Sequence, residues 1–514
     1  MRFLVVAAAV AGIHAQTVPQ FSDPQRLQKL TETFPEIDRT LERWHTERGA
    51  PGLVYGIVID GKLAHVRAFG QSNLEAKTPV TPRTVFRIAS MTKSFTALAV
   101  LKLRDEGKLS LEDPISRFIP QFSRMPLATR DAAPIRVRHL LTHGAGFPED
   151  NPWGDQQLGI SEETLDAWLN AGVPFSNPTE LQFEYSNYGF ALLGRIISVA
   201  SGTPYAEYLD REILKPLGMT ASALEPAKVP AALRAIGYRR KPDRKYEEEK
   251  PLPHGAFGAM GGLLTSAEDL ARYVAFHLAA WPPRDEAETG PVRRSSVREM
   301  QEMGRSSGLT VRSATGTAPL SVVSGAYGYG LGVSRDCRFR HIVGHGGGLP
   351  GFGSFMLWLP EHGVGLFAMS NLTYAGPAGA LHQALDAMKR TGALQSRELP
   401  PSPVLTMTRD TIYKSFWQTW DEAAVGKAAA NNLLLDEPAE QRKAGLAKLR
   451  ARGGKCTGTS EVAAENLLRG TFRIDCENGP VHVTFTLAPT QPPTIQHLAF
   501  SEQPRSNGDN VCRP

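Results

Sequence analysis

The chain has 514 residues, 41% hydrophobic and 21% charged, with a formal charge of +5. That length exceeds one ordinary core and predicts a large domain plus a smaller one, and the apolar fraction excludes a disordered chain. The small net charge excludes a nucleic-acid-binding protein, because the densest basic run, "RRKPDRKYEEEK" at 239–250, carries its own acids and reads as a solvated loop.

At the start, "MRFLVVAAAVAGIHAQ" has one arginine, an apolar run and then small residues. This is the layout of a secretory signal cut after Ala15, so the mature protein is expected to be secreted or periplasmic. No later run reaches membrane-spanning length, and no transmembrane anchor is expected. Next, "LVYGIVIDGKLAHVRAFG" predicts two strands joined at Asp60-Gly61, the strongest short hairpin signal.

"FRIASMTKSFTALAVLKL", Phe86 to Leu103, predicts a helix for the interior, apolar on every side of its later turns and stopped at Gly107. Lys93 sits in its first turn, three residues after Ser90, within reach of the serine hydroxyl. For Lys93 to take that proton near neutral pH it must itself be neutral, which requires about 4 kcal/mol against its charged form. Burial and the positive end of the helix both push that way. Lys93 is thus a general base and Ser90 a nucleophile that forms an acyl-enzyme.

From 108 to 320 the pattern is mostly helical with long loops. "HLLTH" places His139 and His143 at helical spacing, but without the glutamate of a zinc motif or a third ligand, so both are read as structural. "FEYSNYGFALLGRIISVAS" sets Tyr185, Ser186 and Asn187 in a polar loop before another buried helix. "LLTSAEDLARYVAFHL" shows a capping box from Thr265 to Glu268. "GRSSG" at 304–308 fits the nucleophile motif of α/β-hydrolases, which would make Ser306 the nucleophile of a lipase or esterase. A nucleophile elbow needs a strand before and a helix after, however, whereas Ser306 follows the polar "SSVREMQEM" and precedes "LTVRSATGT", and the "HGGG" at 345–348 follows it where the lipase order puts that motif first.

Strands return with "YGYGLGVSRD", "FRHIVGHGG" and the hairpin "SFMLWLPEHGVGLFAMSN", and a helix near "GALHQALDAMKR" closes the unit. His345 and its glycines fall between strands, with the glycine run read as a tight turn. Gly346-x-Gly348-x-x-Gly351 matches a dinucleotide fingerprint, but it leads into a strand and contains Pro350, where a Rossmann site needs a helix. No cofactor is expected. The Pro-rich joint at 396–404 separates this large domain, 16–395, from a smaller α+β accessory domain at 405–514 with a polar helix and a hairpin turning at Asn478-Gly479. The fold class is therefore α/β in the α+β sense: one antiparallel sheet built from distant segments and flanked by helices, with an inserted helical lobe and a C-terminal appendage. Of Cys337, Cys456, Cys476 and Cys512, three fall in that appendage, where a disulfide between Cys456 and Cys476 is expected in an oxidising compartment.

Ser90-x-x-Lys93, then Tyr185-x-Asn187, then His345-x-Gly347, in that order and at those spacings, resemble the serine β-lactamase and penicillin-binding superfamily over about residues 30 to 390. The branch most similar contains class C β-lactamases, DD-carboxypeptidases, D-aminopeptidases and family VIII esterases. Tyr-Ser-Asn replaces Ser-Asp-Asn as in the class C branch. His345 stands where class C enzymes keep a lysine, a swap similar to some DD-peptidases and D-aminopeptidases. The resemblance implies a catalytic Tyr185, substrate binding at Asn187, His345 and Gly347, and an oxyanion hole from the backbone N–H groups of Ser90 and Gly348. It also implies a small-molecule or peptide substrate: D-alanyl peptides such as peptidoglycan stem peptides, D-amino-acid amides, small esters or β-lactams, with peptides or esters favoured. A non-catalytic protein that keeps the fold for binding is the contrasting expectation, and the presence of Ser90, Lys93 and Tyr185 argues against it.

Overall fold

The computed structural model describes residues 18–312 and 321–504, and the signal-like segment 1–15 lies outside them. Among the described residues two compact units are present, one running from Asp23 to Gln395 and the other formed by residues 396–504 with 18–22.

The strand Gly52–Ile59 is buried along its whole length, and its alternation explains why. Leu53, Tyr55, Ile57 and Ile59 point into one core with the N-terminal helix Phe34–Arg48 and the helix Ala378–Arg390, while Val54 and Val58 point into a second core with the helical lobe. Such a strand belongs in the middle of a sheet covered on both faces. It pairs antiparallel with Lys62–Asn73 across the Asp60-Gly61 turn and with Val364–Ser370 on its other side. From there the sheet continues outward through Phe352–Leu359, Ile342–Leu349, Gly332–Arg335, Ser321–Tyr327 and Arg305–Arg312. The pairing of Gly52–Ile59 with Val364–Ser370 joins opposite ends of the unit, and the lobe between them carries the buried helices Thr92–Asp105, Asn187–Ser201 and Ala267–Ala279.

Four local expectations change. The stretch 305–312 is an edge strand rather than part of the helical lobe; its exposed Leu309 and Val311 face outward, so it carries no burial pattern to announce it. The basic run at 239–250 is not a plain loop, because Tyr238–Arg240 pairs with Tyr246–Glu248 in a short hairpin. The helix Ala267–Ala279 is capped by Ser266, whose hydroxyl accepts from the Asp269 N–H at 3.2 Å, one residue after the expected Thr265. Finally, Gly346 to Gly348 lie within the strand Ile342–Leu349, and the chain turns only at Pro350-Gly351.

In the second unit a five-stranded antiparallel sheet buries alternate residues, as the strand Val481–Leu487 shows: Val481, Val483, Phe485 and Leu487 face the core and the residues between them do not. Each such side chain contributes about 1.5–3 kcal/mol when fully buried. The helix Ala439–Gly453 is Ala-rich and charged and buries only Leu446 and Gly453. Cys456 and Cys476 face each other across the strand pair and are joined by a disulfide, as expected.

Candidate active site

Ser90 lies on a tight 3-10 turn, Ala89–Met91, immediately before the helix Thr92–Asp105 and not within it. Ala89 is held at a φ of 49°, a left-handed conformation that costs a residue with a side chain roughly 1–2 kcal/mol. Surrounding bonds hold the turn. The Ser354 hydroxyl donates to the Ile88 carbonyl at 2.9 Å, the Ile88 N–H donates to Leu263 O at 3.0 Å, and the Leu263 N–H donates to Thr92 Oγ1 at 3.1 Å.

Lys93 lies at the centre of a set of short polar contacts. Its side chain is fully buried, and Nζ lies 2.7 Å from Asn187 Oδ1, 2.8 Å from the Met260 carbonyl oxygen and 3.1 Å from Ser90 Oγ. The first two atoms can only accept. A neutral amine satisfies both with its two N–H bonds and turns its lone pair to the serine hydroxyl, which makes it a base toward Ser90. The tyrosine ring of Tyr185 lies 4.8 Å from Nζ and that of Phe190 5.6 Å, so the amine has aromatic neighbours in place of water. Burial pulls Lys93 down to about 7, against the charges of Asp155 and Asp150, which hold it up.

Asn187 is oriented from below. Its side-chain amide donates to Asn151 Oδ1 at 2.5 Å, which leaves Oδ1 for Lys93. It begins the helix Asn187–Ser201, and the Asp150 carboxylate caps that end by accepting from the N–H groups of Asn187 and Tyr188, both at 2.7 Å. Tyr185 is clamped by His143, whose carbonyl accepts the Glu184 N–H at 3.0 Å and whose Nδ1 accepts the Ser186 N–H at 3.1 Å. The His143 ring packs on the tyrosine ring at 4.3 Å. Burial pushes the Tyr185 phenol well above the usual range, partly offset by its interaction with Ser90, so it stays protonated at neutral pH.

His345 Nδ1 lies 2.5 Å from the Gly346 carbonyl, which can only accept, so the proton is assigned to Nδ1 and Nε2 accepts from the Tyr327 hydroxyl at 2.7 Å. Burial and the nearby Lys93 pull its pKa to about 4, and the ring is neutral over the physiological range. Ser90, Tyr185, His345 and Gly348 line one cavity of about 520 Å³ together with Asn151, Asp155 and Tyr374. Gly347 is not among the lining residues. A Cβ there would overlap the Ile88 carbonyl oxygen and Ser354 Oγ, so this glycine lets the strand close onto the turn that carries Ser90. Asn187 is fully buried, and its neighbour Asn151 presents the amide to the cavity. Ser306 sits on the edge strand opposite Ala326, without the strand-to-helix elbow its motif requires.

The sequence reading passed over His143 as structural and did not single out Asp150, Asn151, Asp155, Tyr327 or Tyr374. Of these only His143 had a signal, its place in "LLTHGAGFP". Tyr374 follows the last sheet strand and reaches Asp155 across 219 residues of sequence, a pairing no local pattern encodes. Among the described residues no group of three or more His, Cys, Asp or Glu could hold a metal ion.

A family model described as Beta-lactamase matches residues 27–388. The chain is 28% identical over 338 residues to Protein flp of Staphylococcus aureus, covering 66% of this chain and 63% of that protein. It is 30% identical over 271 residues to Beta-lactamase-like protein 2 of Dictyostelium discoideum, covering 51% of this chain and 49% of that one. It thus spans less than two thirds of the length of these curated relatives. Among solved structures, the octameric penicillin-binding protein homologue from Pyrococcus abyssi superposes with a TM-score of 0.59 at 24% identity, over 91% of this chain and 95% of that one. A penicillin binding protein from Bacillus halodurans gives 0.53 at 21% identity, over 68% and 98%.

Proposed function

Because the chain belongs to the Beta-lactamase family, we propose that it is a serine hydrolase that works through an acyl-enzyme on Ser90. The observation that carries this reading is the buried Lys93 amine, with two carbonyl oxygens on its N–H bonds and Ser90 Oγ at 3.1 Å. Ser90 attacks the substrate carbonyl as Lys93 takes its proton. The N–H groups of Ser90 and Gly348 stabilise the oxyanion, and the proton passes through the Tyr185 phenol to the leaving group. In deacylation water gives its proton to Lys93 through the same phenol. Tyr185 serves as a relay here, since its raised pKa is incompatible with a resident phenolate.

The charge of the cavity favours some substrates of the expected set over others. With His345 neutral and Asp155 the carboxylate in the wall, no lining side chain offers a fixed cation to a free carboxylate. Esters, amides and amino-terminal peptides therefore fit better than carboxylate-bearing D-alanyl peptides or β-lactams. We also propose that segment 1–15 exports the protein and that the unit from Ser396 onward is an accessory domain. Among the described residues no helix is long and apolar enough to cross a membrane.

Incubation with an activated neutral ester, followed by intact mass, tests the assignment. One acyl group should be added, and Ser90→Ala should abolish the adduct. Labelling that persists in that variant, or that maps to Ser306, rejects Ser90 as the nucleophile.

A further inference from the structure

Asp155 stands on the short helix Trp153–Gln156 in the wall of the Ser90 cavity and is only 3% exposed. Its Oδ2 accepts the Tyr374 hydroxyl at 3.2 Å, while its Oδ1 is buried without a hydrogen-bond partner. No lysine or arginine forms an ion pair with it among the described residues. On the Tyr374 side, Arg239 is held by Glu249 at 2.6 Å. A carboxylate left in this state costs the fold free energy and calls for a cation. Burial accordingly pushes its pKa up to about 6, opposed by Lys93 and the Tyr374 hydroxyl. The Tyr374 ring forms the adjoining wall and also abuts the oxyanion strand, with the Gly348 Cβ position 2.7 Å from Tyr374 Cδ1. One aromatic ring therefore borders both the unpaired carboxylate and the place where the scissile carbonyl would sit. A carboxylate beside an aromatic face is the chemistry that receives an ammonium group.

Resting on the acyl-enzyme reading above, we propose that Asp155 and Tyr374 form a subsite for a substrate's primary ammonium, so that the preferred substrates are amides or esters of amino acids with a free amine close to the bond that Ser90 attacks. The ammonium pairs with the Asp155 carboxylate and neutralises the one carboxylate in the cavity wall. It also orients the acyl group against the Gly348 strand.

The full chain is assayed near neutral pH with alanine p-nitroanilide in both configurations, its N-acetyl derivative, and ε-aminocaproyl p-nitroanilide. The free α-amine should raise kcat/KM over the N-acetyl compound by about tenfold or more, and Asp155→Asn should remove most of that ratio while Asp155→Glu keeps part of it. The ratio matters because any change in Lys93 basicity acts on both compounds alike. A stronger preference for the ε-aminocaproyl compound overturns the inference, because its amine lies far from the bond that Ser90 attacks. A wild-type ratio near one, or a ratio unchanged in Asp155→Asn, overturns the inference. Adduct formation on Ser90 with p-nitrophenyl butyrate runs alongside on each variant. Its absence in the wild type rejects the hydrolase reading itself, whereas its presence with an unchanged ratio rejects the subsite alone.

Discussion

In the proposed reaction, charge and hydrogen-bond geometry at Lys93 set the rate of acylation. An arginine there would keep a cation but could not be deprotonated, and its planar fork does not match the carbonyl oxygens of Asn187 and Met260. Lys93→Arg should therefore lower the acylation rate by about 10²–10⁴, read as the burst phase with a p-nitrophenyl ester. A variant retaining more than a tenth of the wild-type rate would assign the residue a purely electrostatic role. Tyr185→Phe separates the two half-reactions. It removes the relay hydroxyl while keeping the ring over Lys93 and against His143. With a p-nitrophenyl ester, whose leaving group departs without a proton, deacylation should therefore slow more than acylation and intact mass should show a trapped adduct. Equal slowing of both steps would contradict this division. Ser90 and Lys93 were legible because their pairing is local, three residues apart at a helix start. His143 and Asp155 were not, because their contacts close only when loops distant in sequence meet.

The element that aims the site is the helix Asn187–Ser201, whose first residue holds Lys93 and whose N-terminus is capped by Asp150. Asp150→Asn should act in two ways. Loss of the carboxylate that accepts from two backbone N–H groups should destabilise the large unit by about 1–2 kcal/mol, measured by denaturant unfolding. The same loss removes a negative charge that holds Lys93 up, so the apparent pKa of acylation should move below about 7. A loss of stability without any movement of the pH profile would limit Asp150 to a structural cap. Central strands and hairpins at this scale followed from alternation and from the Asp60-Gly61 and Asn478-Gly479 turns. The edge strand Arg305–Arg312 escaped because exposed edges carry no burial pattern, and the glycine strand escaped because a run of glycines in isolation resembles a turn.

Across the whole molecule, the antiparallel sheet brings residues from both ends of the large unit to one cavity, which is why motifs at 90, 185 and 345 converge. That convergence was expected from motif order and family resemblance; periodicity alone would have predicted the layers without the site. The second unit has a core of its own, tied by the Cys456–Cys476 disulfide across a separation of 20 residues. Closing a loop of that size stabilises by about 3 kcal/mol in the chain-entropy account. Cys456→Ser with Cys476→Ser should lower the melting transition of this unit by roughly 10 °C or more in calorimetry, with ester hydrolysis retained at low temperature. An unshifted transition would show that the bond adds nothing to that core.

The central claim is that a neutral, buried Lys93 activates Ser90. It is tested most directly by the pH dependence of the single-turnover rate at which a neutral activated ester acylates Ser90. Lys93 must lose its proton before it can accept one, so the rate should rise with pH, bend at an apparent pKa of about 7 and level off above it. The bend should vanish with the Lys93 side chain. A rate that is flat across neutrality, or that climbs only near the pKa of an ordinary lysine, would contradict the account.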